Sequence, residues 1–80
     1  MTYKELFNNL YNDIGHLALE RYRSGKMMTP DEVINWINKQ YPALPSQYNG
    51  LQSLLQASFD RTDDKEIQNA IRTVFKSLVF

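Results

Sequence analysis

The chain has no cysteine. That excludes a disulfide scaffold and any thiolate metal site, and it fits a reducing cytosol. There is one histidine, His16, so no second imidazole is available to activate a serine from another element. The three glycines are scattered at Gly15, Gly25 and Gly50, which leaves no glycine-rich phosphate loop. Net charge is missing as well: nine basic residues balance nine acidic ones. A nucleic-acid binder ordinarily carries a basic excess, so this balance counts against one. No basic region followed by an apolar run marks a secretory signal. No stretch is long and apolar enough to span a bilayer. Together these absences predict a cytoplasmic, non-enzymatic protein without a cofactor or a metal.

What is present is enough for a core. The length of 80 residues predicts one small domain, 1–80, and the 42% hydrophobic content argues against disorder. A chain of this size buries only about 60% of the surface its unfolded form exposes.

The clearest local signal lies between Lys26 and Pro42. Thr29 can cap a helix, Pro30 suits the first helical position, and Glu32 can reach back to the Thr29 amide. Met28 and Val33 stand at the two ends of a hydrophobic staple. Asp31 and Glu32 set negative charge against the positive end of the helix dipole. Pro42 and Pro45 prevent continuation. A helix over about 30–41 follows. It carries Val33, Ile34, Ile37 and Tyr41 on one face, with Trp36 at the edge.

Before it, Thr2 and Glu5 form a second capping pattern. Tyr3, Leu6, Phe7, Leu10, Tyr11, Ile14, Leu17 and Ala18 then recur at helical spacing, with Glu5, Asn9, Asn12, Asp13, His16 and Glu20 opposite. This helix spans about 3–23 and ends with Gly25 as a left-handed cap. Two residues break the pattern. Leu19 winds onto the polar face, as a member of a contact surface or of a frayed last turn. Arg21 winds onto the apolar face, where its stem can lie along the core.

A third helix is predicted over about 47–59, capped by Ser46, with Tyr48, Leu51, Leu54, Leu55 and Phe59 inward and Asn49, Gln52, Ser53 and Gln56 outward. Gly50 weakens its first turn by about 1 kcal/mol relative to Ala. No charged residue occurs from Gln40 to Phe59, which makes this the most unusual surface in the chain. A fourth helix over about 64–79 follows a polar turn. Asp63 is its expected cap, and Ile67, Ala70, Ile71, Val74, Phe75 and Leu78 form its stripe. The fold expectation is all-α: a small single-domain bundle of about four amphipathic helices, with neighbours roughly antiparallel.

Chemistry is sparse. His16 shares a helical face with Asp13 and Glu20, a pattern usually made of weak surface pairs. Asp60, Asp63, Asp64 and Glu66 lack calcium-loop spacing and read as a turn and cap. The leading expectation is a small interaction or regulatory module of bacterial or phage type that binds a protein partner, or itself as a homodimer. Its candidate surface is Asn49, Gln52, Ser53 and Gln56, with Leu19 and Trp36 as anchors. The alternative is a helix-turn-helix-like DNA-binding regulator. There Gln47, Asn49 and Gln52 would meet base edges and Lys65, Arg72 and Lys76 would meet phosphates. Against it, the reader helix has no Lys or Arg, and the turn is longer than usual.

One string adds a third expectation. Leu10-Tyr11-Asn12-Asp13-Ile14 resembles a stretch early in bacteriocin immunity proteins. Those are small cytosolic four-helix bundles that protect a producer from its own peptide. The resemblance covers these five residues and implies the same helix count and a protective role; it assigns no site residues.

Overall fold

A computed structural model describes residues 2–42 and 50–76. These residues form an all-α bundle of four helices: α1 (Tyr3–Arg23), α2 (Pro30–Gln40), α3 (Leu51–Arg61) and α4 (Lys65–Val74). No strand occurs among them. No helix among the described residues is long and apolar enough to cross a membrane.

Local chemistry sets most of the boundaries. The Thr2 hydroxyl accepts the Glu5 N–H at 3.2 Å and opens α1. At its other end the Gly25 N–H reaches the Tyr22 carbonyl and the Lys26 N–H reaches the Arg21 carbonyl. Those two bonds make a Schellman motif, which requires a left-handed residue just past the cap. Gly25 supplies it with a φ of 69°. The last turn of α1 is therefore closed by hydrogen bonds, not frayed. Thr29 and Glu32 form the full reciprocal capping box on α2, with Pro30 beside it. Met28 and Val33, the two ends of the expected staple, are both buried in the core.

Two boundaries differ from expectation. Residues 43–49 lie outside the described residues, and with them the expected Ser46 cap, Gln47, Tyr48 and Asn49. The helix itself begins at Leu51, because Gly50 takes φ 93° and ψ 101°, a conformation that a helix cannot contain. Gly50 is thus the residue before the helix, not a weak point inside it. The helix also runs on to Arg61 instead of ending at Phe59. In α4 the cap is Asp64, not Asp63. The Thr62 hydroxyl accepts the Asp64 N–H at 3.2 Å, and the Asp64 carboxylate then accepts the Glu66 N–H at 2.9 Å. The Gln68 amide donates back to the Thr62 carbonyl at 2.8 Å and closes the turn. Regular helix stops at Val74, earlier than expected, since Phe75 leaves helical dihedrals at φ −106°, ψ 25°. Leu78 lies outside the described residues.

The core is built from Leu10, Ile14, Leu17 and Ala18 of α1, Met28, Val33 and Ile37 around α2, Leu54 and Leu55 of α3, and Ala70, Ile71, Val74 and Phe75 of α4. The largest interface joins α1 to α4, followed by α1 to α3. Gly15 lies at a close approach of the first: a Cβ there would stand 3.1 Å from the Ile67 Cγ2, so that side chain would have to give by a few tenths of an ångström. Arg23 and Glu66 pair across the same interface, Nη2 to Oε1 at 2.6 Å. Both side chains are at least half exposed, so this pair adds at most about 1 kcal/mol. Among the described residues, helix α2 packs least extensively on its neighbours. It is attached through the narrow seam of Val33 and Ile37, through the Met28 N–H to the Val74 carbonyl at 3.5 Å, and through Tyr41. That narrow seam leaves Ile34 exposed, contrary to its expected place in the core stripe. Ser58 is the opposite case. It occupies the core side of α3 and satisfies its hydroxyl on the Leu54 carbonyl at 3.0 Å.

Candidate interaction surfaces

The outer face of α3 follows from helical winding. With Leu54, Leu55 and Ser58 turned inward, residues 52, 53 and 56 fall on the far side. Gln52 and Ser53 are exposed and Gln56 is half-buried. All three line one shallow concavity of about 400 Å³, together with Ala57 and Asp60. Among the described residues that line it, Asp60 alone is charged, and the Gln56 amide donates to its carboxylate at 3.0 Å. Three of the four expected surface residues on this helix are thus brought together. The fourth, Asn49, lies outside the described residues.

The two expected anchors sit elsewhere. Leu19 is half-buried and packs against the core. Its place on the polar face of α1 is therefore covered in part by the fold itself. Trp36 is also half-buried and packs on the core. Its ring lies 6.4 Å from that of Tyr41 at an interplanar angle of 59°. It lines a second groove of about 340 Å³ between α1 and α2, with Asp13, His16, Leu17, Glu20 and Gln40. Neither anchor lines the α3 concavity.

Asp13, His16 and Glu20 do share this second groove, as helical spacing predicts. They do not converge: among the described residues no group of three His, Cys, Asp or Glu side chains is placed to hold a metal ion. Asp13 is engaged instead by the Tyr41 hydroxyl, which donates to its carboxylate. Burial first, then this bond and the neighbouring negative charge, push the Tyr41 phenol well above the usual tyrosine range. Nothing in the spacing of Asp13 and Tyr41 reveals this contact, because it depends on how α2 returns across α1.

The basic residues Lys65, Arg72 and Lys76 are all exposed on α4 and beyond its end. The Arg72 guanidinium lies 5.4 Å from the Phe59 ring centroid, so part of this edge is committed to a cation–π contact with α3. The proposed reader and its preceding helix are separated by residues 41–50. A helix-turn-helix turn is about three or four residues.

Arg21 has its Nε buried without a hydrogen-bond partner among the described residues. Its stem therefore lies on the apolar side, as its winding predicts. The string Leu10–Ile14 occupies the middle of α1. Leu10 and Ile14 are fully buried, while Asn12 and Asp13 face outward, the division of any amphipathic helix. No protein-family model, no curated protein and no solved structure matches the chain.

Proposed function

We propose that the chain is a non-enzymatic helical module that acts by binding another protein through the outer face of α3. The observation that carries this reading is the concavity of Gln52, Ser53, Gln56 and Ala57, whose one carboxylate, Asp60, is already bonded by Gln56. Interface cores are depleted of charge, because ions cost far more to desolvate than neutral amides and hydroxyls do. Amide groups there can exchange water for partner hydrogen bonds without stranding an ion. A second copy of this chain is one such partner.

The test is a paired charge substitution, Gln52→Lys with Gln56→Lys. Capture from host lysate, with and without nuclease, identifies what the wild-type chain retains. Sedimentation reports self-association. The proposal expects the variant to lose the nuclease-resistant partner, or its own dimer, with helix content retained and only a small change in melting temperature. Equal retention by both chains would refute it.

The exposed Lys65, Arg72 and Lys76 favour DNA binding as a second reading. It expects duplex affinity that falls steeply with salt and weakens in Arg72→Ala or Lys76→Ala. Absence of salt-sensitive binding at low ionic strength ends that reading.

A further inference from the structure

A third cavity lies where α1, the end of α3 and the first turn of α4 meet. It holds about 40 Å³ and is lined by Tyr11, Asn12, Gly15, His16, Ser58, Arg61, Thr62 and Ile67. No carboxylate is among them. On the same measure one water needs roughly 10–15 Å³, so the space takes a few heavy atoms, not a cofactor.

Three of its side chains, Asn12, His16 and Arg61, are solvent-exposed donors that have no protein acceptor among the described residues, so an anion there would exchange with water and not with a protein group. Asn12 and His16 stand four apart on α1, on one helical face. Arg61 enters from the last turn of α3. Its guanidinium lies 5.4 Å from the Tyr11 ring centroid, which holds the group over the ring without using its N–H donors. Among the described residues, Arg61 has no carboxylate at ion-pair distance. Asn12 and His16 have no hydrogen-bond partner among them either. Thr62 adds a fourth donor, since its oxygen accepts the Asp64 N–H and its own proton stays available.

The neighbouring acids do not fill this role. Asp60 is bonded by Gln56, Asp64 caps α4, and Asp13 is bonded by Tyr41. Neither they nor Asp63 line the cavity. The negative end of the α3 dipole is offset by Arg61 itself, and Ile67 brings the positive end of α4 to the opposite wall.

We infer that this cavity is a binding site for a small oxyanion, the phosphate or carboxylate head of a ligand. Arg61 is the charged donor and Asn12, His16 and Thr62 complete the set. The chemistry is that of a guanidinium fork toward paired oxygens, supported by neutral donors. This site is separate from the α3 concavity, and it stands or falls independently of the protein-binding reading.

The test is a two-dimensional NMR titration of the full chain with inorganic phosphate and, separately, with acetate, at constant ionic strength. The expected result is saturable movement of the Asn12, His16 and Arg61 side-chain signals with a Kd of about 1 mM. Arg61→Ala should weaken binding by about tenfold or more. Asn12→Asp, which keeps the shape and adds a negative charge at an exposed position, should abolish it even if Arg61→Ala folds poorly. Lys39→Ala, remote from the cavity lining, should bind as the wild type does. Saturation by phosphate alone assigns a tetrahedral head, and saturation by acetate a planar one. Shifts that rise linearly with both anions, or that are the same in wild type, Arg61→Ala and Asn12→Asp, would overturn the assignment.

Discussion

The Tyr41 hydroxyl donates a hydrogen bond to the Asp13 carboxylate and joins the C-cap of α2 to the middle of α1. Helix α2 has the smallest packed seam of the four, so this bond bears on how firmly the helix is held.

Ionising Tyr41 would place two negative charges side by side in a partly desolvated position. The folded chain therefore keeps the phenol proton longer than the unfolded chain does. The stability this contributes is complete below the unfolded value of about 10 and is lost as pH rises above it. Near-ultraviolet titration of tyrosinate should show a late component in the wild type that is missing from Tyr41→Phe. A late component that persists in the variant refutes the assignment. At neutral pH the same substitution should cost about 0.5–1.5 kcal/mol.

Gly15 and Ile67 set the distance between α1 and α4. Gly15→Ala gains about 1 kcal/mol of helix propensity but presses a methyl group against Ile67 at 3.1 Å. Shortening Ile67 should release that pressure. Gly15→Ala is therefore expected to be more favourable in an Ile67→Val background than in the wild type, with a coupling energy above about 0.5 kcal/mol. Urea unfolding of the four chains measures it, and strict additivity would show that the helices do not meet there. Gly15→Leu should destabilise strongly in either background.

The Schellman motif at Gly25 needs positive φ. Gly25→Ala should cost about 1–2 kcal/mol, although a Cβ there meets no other atom. The expected signature is a lower urea midpoint with an unchanged slope. An unaltered midpoint would mean that the turn relaxes to another conformation.

Much of the fold is legible in the sequence because its signals are local. The Thr29–Glu32 box, the Gly25 cap and the stripe of α1 each depend on residues within a turn or two. The readings that failed depend on something else. The apolar pattern alone places Gly50 inside a helix, yet its backbone takes positive φ. Asp63 and Asp64 are chemically equal as caps, and only the Thr62 hydroxyl on the Asp64 amide separates them. Ser58 sits at core spacing from Leu51, Leu54 and Leu55, but its polar identity hides it. The candidate site was half legible. Winding alone groups Gln52, Ser53 and Gln56, whereas the meeting of Arg61 with Tyr11 requires the packing of α3 on α1.

Phe75 is fully buried where α4 ends. Phe75→Ala should cost about 3–5 kcal/mol, a large part of the stability of a domain this small. Phe75→Leu should cost less than half as much. Circular dichroism melting curves separate the two, and a truncated variant that melts within a few degrees of the wild type would contradict the packing described.

The pairing of α1 with α4 also has a kinetic meaning. Among the described residues the most extensive interface joins α1 to α4, which is synthesised some forty residues later. Long-range contacts carry the loop-closure entropy before they return any stabilisation. While the chain is being synthesised, the apolar stripe of α1 has no α4 to cover it. The nascent chain must carry Leu10, Ile14 and Leu17 unsheltered until residues 65–75 emerge. The time window for aggregation or chaperone capture is therefore set by the synthesis of the intervening segment, and not by the folding speed of any single helix.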